Sequence, residues 1–193
     1  MQQRIVLLDR DGVINHDSED YILSPDAWHP VAGSMEAIAD LTRAGFAVFV
    51  LTNQSALNRG YFDLPVLQAI HSKMMQHIAQ HGGRLTDIFF CPHRPDEACL
   101  CRKPATGMIQ QLQARYPQYA MHQAFFVGDT DKDILLAKAI NARPVLVRTG
   151  KGSVTESQRA DYLTNVLVFD DLRQAVDAYI LPFFAANHHS NAE

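Results

Sequence analysis

Short apolar runs alternate along this chain with longer segments in which apolar residues recur at helical spacing. Continuous apolar runs of about four to eight residues are typical of strands that are covered on both faces of a sheet. These runs predict strands at residues 4–8, 46–51, 87–90, 124–127 and 144–147, and a short extended piece at residues 162–163.

The segments between the runs have the pattern of amphipathic helices. In the first of them Met35, Ile38 and Leu41 lie close to helical spacing, and Gly45 follows as a stop signal. Helices are predicted at residues 34–44, 64–81, 106–115, 132–140 and 169–180. Strands that alternate with helices indicate an α/β fold with a doubly wound, mostly parallel sheet. We expect one domain over residues 1–186 and a disordered tail at residues 187–193.

Polar side chains follow three of the predicted strands at the edge where such folds bind ligands. Asp9 and Asp11 follow the first strand, and residues i and i+2 of an extended segment point the same way. Two carboxylates that converge repel each other unless a divalent cation lies between them, and Mg²⁺ prefers such oxygen ligands. Asp129 follows the fourth strand and is expected to complete the site. Asp133 is either a second participant or a carboxylate that favours the helix N-terminus.

This set of residues has the chemistry needed to cleave a phosphate ester. Asp9 can attack phosphorus, and Asp11 can transfer protons to and from the oxygens that leave and enter. Thr52 and Asn53 offer hydrogen-bond donors for the phosphoryl oxygens, and Lys103 offers a positive charge. Taken singly, each segment has a plainer interpretation as a solvated turn or polar loop.

All three cysteines lie within eleven residues of one another, and one histidine lies among them: Cys91, His93, Cys99 and Cys101. Three cysteines and one histidine are a standard tetrahedral zinc set, and four protein ligands leave no open position for catalysis. We therefore predict a structural zinc ion that staples this loop beside Arg102 and Lys103. The alternative is three buried free thiols and a surface histidine. The other histidines are interpreted as surface or satisfied residues.

Composition and charge exclude several classes of function. The formal net charge of −4 gives no basic footprint for nucleic acid. No apolar run is long enough to span a bilayer, and the first residues do not have the pattern of a signal peptide. We expect a cytoplasmic monomer whose partner is a small phosphorylated substrate.

Four ordered motifs resemble those of the haloacid dehalogenase (HAD) superfamily: Asp9-x-Asp11-Gly12, Thr52-Asn53-Gln54, Lys103 and Gly128-Asp129. The resemblance covers residues 5–152. Within the superfamily the chain looks most like the D,D-heptose 1,7-bisphosphate phosphatase family, in the branch that also contains histidinol phosphatase. That closer resemblance rests on Leu8–Gly12, Thr52–Ser55, the cysteine cluster with Arg102-Lys103-Pro104, and Val147–Gly150.

The resemblance implies a role for each matched residue. Asp9 would be nucleophile and magnesium ligand, Asp11 acid/base with its main-chain carbonyl on magnesium, and Asp129 the third ligand. Thr52 and Lys103 would steady the transferring phosphoryl group. Substrate contacts are implied for six residues: Asp17, Tyr21, Asn53, Gln54, Ser55 and Arg102. The cysteine cluster would hold zinc.

The resemblance also implies a sugar phosphatase of carbohydrate metabolism, on the route to lipopolysaccharide or surface-glycan precursors. No interval after the first or third strand could hold a large cap domain. Thr130 stands where the heptose family often has lysine, which removes one contact to phosphate or sugar. Three alternatives stay open: a histidinol-phosphate phosphatase, a phospho-accepting receiver domain, and a zinc-stapled binding module that has lost catalysis.

Overall fold

The computed structural model describes residues 3–158 and 160–189, which build one six-stranded parallel sheet. Along the sheet the strands are arranged in the order β3-β2-β1-β4-β5-β6. Their bounds are β1 Ile5–Leu8, β2 Ala47–Asn53, β3 Asp87–Cys91, β4 Phe125–Gly128, β5 Arg143–Val147 and β6 Leu167–Phe169.

Helices connect the strands and cover both faces of the sheet. Their bounds are α1 Ser34–Arg43, α2 Leu64–Gln80, α3 Gly107–Arg115, α4 Asp131–Ala139, α5 Gly152–Gln158, α6 Leu172–Ala175 and α7 Leu181–His189. A π turn, Val176–Ile180, joins the last two helices. The predicted doubly wound α/β architecture is therefore confirmed.

Alternate residues of the central strands pack into two separate cores. Val6 and Leu8 belong to the core beneath α1, α2 and the C-terminal helices. Ile5 and Leu7 belong to the core beneath α3 and α4. Since both faces of β1 are buried, its run of four apolar residues has no polar position, as the sequence pattern predicted.

The strand order reverses between β1 and β4, and this switch point positions the site. Leu8 is in register with Val50 on one side and with Val127 on the other. The residues just beyond these positions, Asp9 and Asp129 among them, therefore reach the same edge of the sheet. A crevice at such a switch point is where doubly wound sheets bind ligands.

The extended piece predicted at residues 162–163 is wrong. These residues belong to a 3₁₀ turn, Ala160–Leu163, and the sixth strand lies further along the chain. Lys138 Nζ donates to the carbonyl oxygens of Tyr162 and Thr164, at 2.6 and 3.3 Å. These contacts hold the turn against α4.

The helix predicted at residues 169–180 differs from the structure at both ends. Phe169 is in β6, and the helix begins after Asp171, whose carboxylate caps it by accepting from Gln174 N–H at 2.8 Å. The helical path then continues to His189. The π turn precedes Pro182, which has no N–H for the usual helical hydrogen bond. Of the predicted tail, residues 187–189 are helical, and residues 190–193 lie outside the described residues.

No insertion within residues 3–158 and 160–189 forms a cap domain, in agreement with the spacing of the predicted strands. In the same part of the chain, no helix combines the length and apolar character needed to cross a membrane.

Candidate active site

A cavity of about 270 Å³ lies at the carboxyl end of the sheet. It brings together all of the residues predicted for catalysis, magnesium and substrate. These are Asp9, Asp11, Asp17, Tyr21, Thr52, Asn53, Gln54, Ser55, Arg102, Lys103 and Asp129. The segments that follow β1, β2, β3, β4 and β5 all contribute to its lining, so residues from Asp9 to Lys151 share this cavity.

Three buried carboxylates meet at the floor of the cavity. Oxygen atoms of Asp9, Asp129 and Asp133 lie within 4.8 Å of one another. The pKa of Asp9 is raised to about 7: burial raises it most, Lys103 opposes the rise, and the charges of Asp133 and Asp11 add to it. Burial and the charges of Asp9 and Asp133 raise the pKa of Asp129 as well. A cluster of this kind is a ready ligand set for a divalent cation.

Lys103 is the cation that the fold itself places in this cluster. Its side chain is 2% exposed, and Nζ lies 2.8 Å from Asp9 Oδ1 and 2.6 Å from Asp133 Oδ1. Nζ also donates to the carbonyl oxygen of Leu51 at 2.8 Å. Burial lowers the pKa of Lys103, but its two carboxylate partners raise it by more, and the net shift is upward. The ammonium group therefore stays charged.

Asp133 contributes its carboxylate to this cluster and also caps helix α4. Its Oδ2 accepts from both the N–H and the hydroxyl of Thr130, at 3.1 and 2.6 Å. Its Oδ1 faces Lys103. One carboxylate oxygen therefore caps the helix and the other faces the cluster, and a direct role of Asp133 in the site stays a prediction.

The carboxylate of Asp11 does not belong to the cluster. Arg10 binds it through Nη2 at 2.8 and 2.9 Å, Asn15 Nδ2 donates to it at 2.9 Å, and Gln54 Nε2 donates to it at 2.8 Å. Burial raises the pKa of Asp11, but these partners lower it by more. Convergence of the Asp9 and Asp11 carboxylates on one cation is not what the structure shows. The contribution of the Asp11 main-chain carbonyl stays a prediction.

The segment after β2 holds the other parts of the site in place. Gln54 Nε2 also donates to Thr52 Oγ1 at 2.8 Å, so the hydroxyl proton of Thr52 is left for another acceptor. Asn53 exchanges two hydrogen bonds with the main chain of Lys103, at 3.0 and 3.3 Å. The side chain of Asn53 therefore docks the Lys103 loop, and its predicted contact with substrate stays untested.

The loop after β1 forms one rim of the cavity. Asp17 pairs with Lys151, Oδ2 to Nζ, at 2.9 Å. Tyr21 has a left-handed backbone, with φ +64°, and its ring lies 5.5 Å from that of Tyr61. Ser55 and Arg102 lie elsewhere on the lining, and Arg102 Nη1 donates to the carbonyl oxygen of His93 at 3.1 Å.

The predicted zinc ligands form a second cluster behind the Lys103 loop. Their ligand atoms lie within 4.8 Å of one another, with neighbouring pairs at 3.1–3.6 Å: Cys91 Sγ, His93 Nδ1, Cys99 Sγ and Cys101 Sγ. Zn–S and Zn–N bonds in a tetrahedron require ligand-to-ligand edges of about 3.5–3.8 Å. The four donors fit a metal ion, and the cluster is separate from the carboxylates.

Three residues of the site were given no role in the sequence analysis. Arg10 is 1% exposed, and its Nη1 lies 3.3 Å from Nε2 of His71, a buried histidine of α2. Burial and the charge of Arg10 lower the pKa of His71 to about 3, so its ring is neutral. Lys151 donates its main-chain N–H to Asp129 Oδ2 at 2.8 Å. Apolar spacing along α2 could have marked His71 as inward-facing, but its contact with Arg10 has no local signal.

Comparison with known proteins confirms the superfamily. A family model described as HAD-hydrolase-like matches residues 100–175. The D-glycero-β-D-manno-heptose-1,7-bisphosphate 7-phosphatase of Pseudomonas aeruginosa is 45% identical over 180 residues, 93% of this chain and 99% of the relative. The protein of that name from Escherichia coli is 37% identical and covers 89% of this chain and 92% of the relative.

Two solved structures also resemble this chain over most of its length. The D,D-heptose 1,7-bisphosphate phosphatase from B. bronchiseptica, complexed with magnesium and phosphate, superposes with a TM-score of 0.88 at 40% identity. The match covers 93% of this chain and 99% of that chain. The corresponding enzyme from Burkholderia thailandensis gives a TM-score of 0.71 at 37% identity, over 95% of this chain and 99% of that one.

Proposed function

We propose that this chain, which belongs to the D-glycero-β-D-manno-heptose-1,7-bisphosphate 7-phosphatase family, removes the 7-phosphate of that sugar bisphosphate by way of an aspartyl-phosphate on Asp9. The substrate is inferred from the relatives, which are heptose 1,7-bisphosphate 7-phosphatases. The chemistry is supported by one observation, the buried carboxylates around Asp9 in the same cavity as Lys103 and Thr52.

Two metal ions belong to the proposal. The carboxylates of Asp9 and Asp129 would hold Mg²⁺ together with the main-chain carbonyl of Asp11, since hard oxygen donors with raised pKa values need a cation to ionise at neutral pH. When bound, Mg²⁺ neutralises charge on the phosphoryl oxygens. The cluster of Cys91, His93, Cys99 and Cys101 would hold a structural Zn²⁺.

The first step transfers the phosphoryl group to the protein. Asp9 Oδ1 is held by the N–H of Arg10 at 2.6 Å and by Lys103, which leaves Oδ2 to attack phosphorus. The new Asp9–phosphorus bond forms while the bond from phosphorus to the sugar oxygen breaks. As the phosphate dianion approaches, the proton affinity of Asp11 rises and its carboxylate takes up a proton from solvent, which it then passes to the departing sugar oxygen. Thr52 Oγ1 donates to a phosphoryl oxygen.

The second step releases phosphate. A water molecule attacks phosphorus of the aspartyl-phosphate, and its proton passes to Asp11 as the bond from phosphorus to Asp9 breaks. Arg10, Asn15 and Gln54 keep Asp11 anionic after the sugar departs, which suits a general base. Inorganic phosphate leaves, Asp11 releases to solvent the proton that it took from water, and both aspartates return to the states that they had before the substrate bound.

A substrate panel with Mg²⁺ tests the proposal. Heptose 1,7-bisphosphate should be hydrolysed with a kcat/KM that exceeds that of histidinol phosphate by about tenfold or more. Polar groups of the site that bind sugar hydroxyls would be left without a partner when histidinol phosphate is bound. Preference for histidinol phosphate would replace the substrate and keep the mechanism.

Asp9→Asn is the matched control for the mechanism. The amide is isosteric but does not attack phosphorus, so kcat should fall by about 10³-fold or more while the melting temperature is kept. Near-normal turnover by this variant would rule out an aspartyl-phosphate on Asp9.

A further inference from the structure

One residue of the β5–α5 loop joins two parts of the active site that come from distant segments of the chain. Lys151 contacts Asp129 after β4 through its main-chain N–H, at 2.8 Å. Its side-chain Nζ lies 2.9 Å from Asp17 Oδ2 in the loop after β1. Gly150 precedes it with φ +58° and approaches Asp129 so closely that a Cβ would not fit.

The contact with Lys151 fixes the direction of the Asp17 carboxylate. Asp17 Oδ1 accepts from the N–H of Ser18 at 2.9 Å, and Oδ2 faces Lys151, so each oxygen has one protein partner. A carboxylate oxygen carries two lone pairs, and one on each atom is left for a further donor. Asp17 lines the cavity with a side-chain exposure of 21%, where a hydroxyl group of a ligand can reach it.

The positive charge of Lys151 has a second effect on the cavity. Asp17 shares the cavity lining with Asp9, Asp11 and Asp129, and the substrate brings a phosphate dianion. An unpaired carboxylate at the rim would repel that dianion. The ammonium of Lys151 offsets the charge of Asp17, so that the carboxylate can lie next to a phosphorylated ligand.

We propose that Lys151 is a positioning residue for substrate specificity: its ammonium orients Asp17 to accept a hydroxyl group of the sugar. This inference rests on the proposed sugar-phosphatase function. Lys151 itself does not touch the reacting atoms. Its contact with Asp129 is made by the main chain, so a side-chain substitution removes the Asp17 pair and keeps the contact with the carboxylate cluster.

Four variants and three substrates test this role. The variants are Lys151→Met, Lys151→Arg, Asp17→Asn and the Lys151→Met/Asp17→Asn double variant. The substrates are heptose 1,7-bisphosphate, heptose 7-phosphate and p-nitrophenyl phosphate, the last of which has no sugar hydroxyl. Arg84→Met, which removes one positive charge from an exposed residue outside the cavity lining, is the control for net charge.

Lys151→Met should raise KM about two- to fivefold for both sugar phosphates, the range expected of an exposed ion pair, with kcat little changed. KM for p-nitrophenyl phosphate should rise by less, because the unpaired charge of Asp17 repels its phosphate but no contact to a sugar hydroxyl is lost. Lys151→Arg should restore the sugar KM. The double variant should be no worse than Asp17→Asn alone, since the lysine acts through the aspartate.

Other patterns would overturn the inference. Equal losses on all three substrates would give Lys151 a structural or phosphoryl-binding role. A loss confined to the bisphosphate would mean that Lys151 binds the second phosphate directly. Turnover of p-nitrophenyl phosphate by the wild type monitors the proposed phosphatase chemistry separately, so failure of that chemistry is not confused with failure of the role assigned to Lys151.

Discussion

At the scale of single residues, the site is governed by how buried charges balance. Asp9, Asp129 and Asp133 lie almost without solvent, and Lys103 is the cation packed against two of them. Burial is the main reason why the pKa values of Asp9 and Asp129 are raised, and one ammonium beside three carboxylates does not offset the rise. The imbalance favours either protons or a metal ion, and the two compete.

This competition predicts that Mg²⁺ binds more tightly as the pH rises. With a pKa of about 7, Asp9 is largely protonated at pH 6 and largely ionised at pH 8, which changes the apparent affinity for Mg²⁺ about tenfold. The folded protein without metal also binds more protons than the unfolded chain, so its stability should fall as the pH rises from about 4 to 7.

Thermal melts with EDTA and with Mg²⁺ at pH 6 and pH 8 measure both effects. The Mg²⁺-dependent gain in Tm should be larger at pH 8. In Asp9→Asn the position no longer ionises, so the part of this pH dependence that is due to Asp9 should vanish, and the part due to Asp129 should remain. An equal gain at both pH values in the wild type would mean that Asp9 is already ionised when the metal arrives.

At the scale of elements, short loops at the strand ends line the cavity, and within the described residues no cap domain covers it. The cysteine loop between β3 and α3 connects the predicted zinc ligands to the cavity, because Arg102 and Lys103, which line the cavity, follow directly after Cys101. The main chain of Arg102 donates to Cys99 Sγ at 3.4 Å, and Asn53 holds the main chain of Lys103. The loop therefore depends on its own cluster at one end and on β2 at the other.

We expect the purified protein to carry about one zinc ion per chain, the number that one Cys₃His set binds. Removing it by chelation, or replacing Cys99 with serine, should loosen the loop. A loss of about 2 kcal/mol would lower Tm by about 4–8 °C in a domain of this size. Activity should fall too, since Lys103 loses part of its support.

Metal analysis and melting curves check this expectation, with His122→Ala as the control. His122 is an exposed histidine outside the cluster, and its loss should change neither zinc content nor Tm. Freshly purified protein without zinc would contradict the assignment of the four ligands.

At the scale of the whole molecule, one continuous sheet with a core on each face carries a single site at one edge. Most of the side chains that line the cavity are polar or charged and belong to loops at the strand ends. We therefore expect these loops to set the selectivity for substrate. The loop after β1, the segment after β2 and the β5–α5 loop each contribute side chains to its lining.

We predict that the protein is a monomer in solution. Obligate dimers bury about 2,000 Å² or more of largely apolar surface. In the described part of the chain most large apolar side chains belong to the two cores, and the exposed ones, from Leu23 to Leu167, are single residues separated along the chain. Light scattering should give a mass near 21.6 kDa at micromolar concentration. A stable mass of twice that value would contradict the prediction.

The sequence by itself determined the first five strands and the helices between them, the fold class and many of the residues that line the cavity. It predicted neither α5 nor β6. Buried parallel strands have to be apolar throughout and end at polar residues, so Asp9, Thr52 and Asp129 stand out in the linear pattern. The weakly patterned C-terminal part was predicted less well. Residues 162–163 have no periodicity, and their place in a 3₁₀ turn depends on Lys138, which is distant in sequence.

The tertiary structure decided which side chains meet. The pairing of Lys103 with Asp133, the hydrogen bond from Gln54 to Asp11, and the contact of Lys151 with Asp17 join segments that follow different strands. Each such contact is set by the register of parallel strands and by the approach of loops at one edge of the sheet. Local sequence patterns carry no information about distances between segments, so these partners became visible only when the strands were assembled.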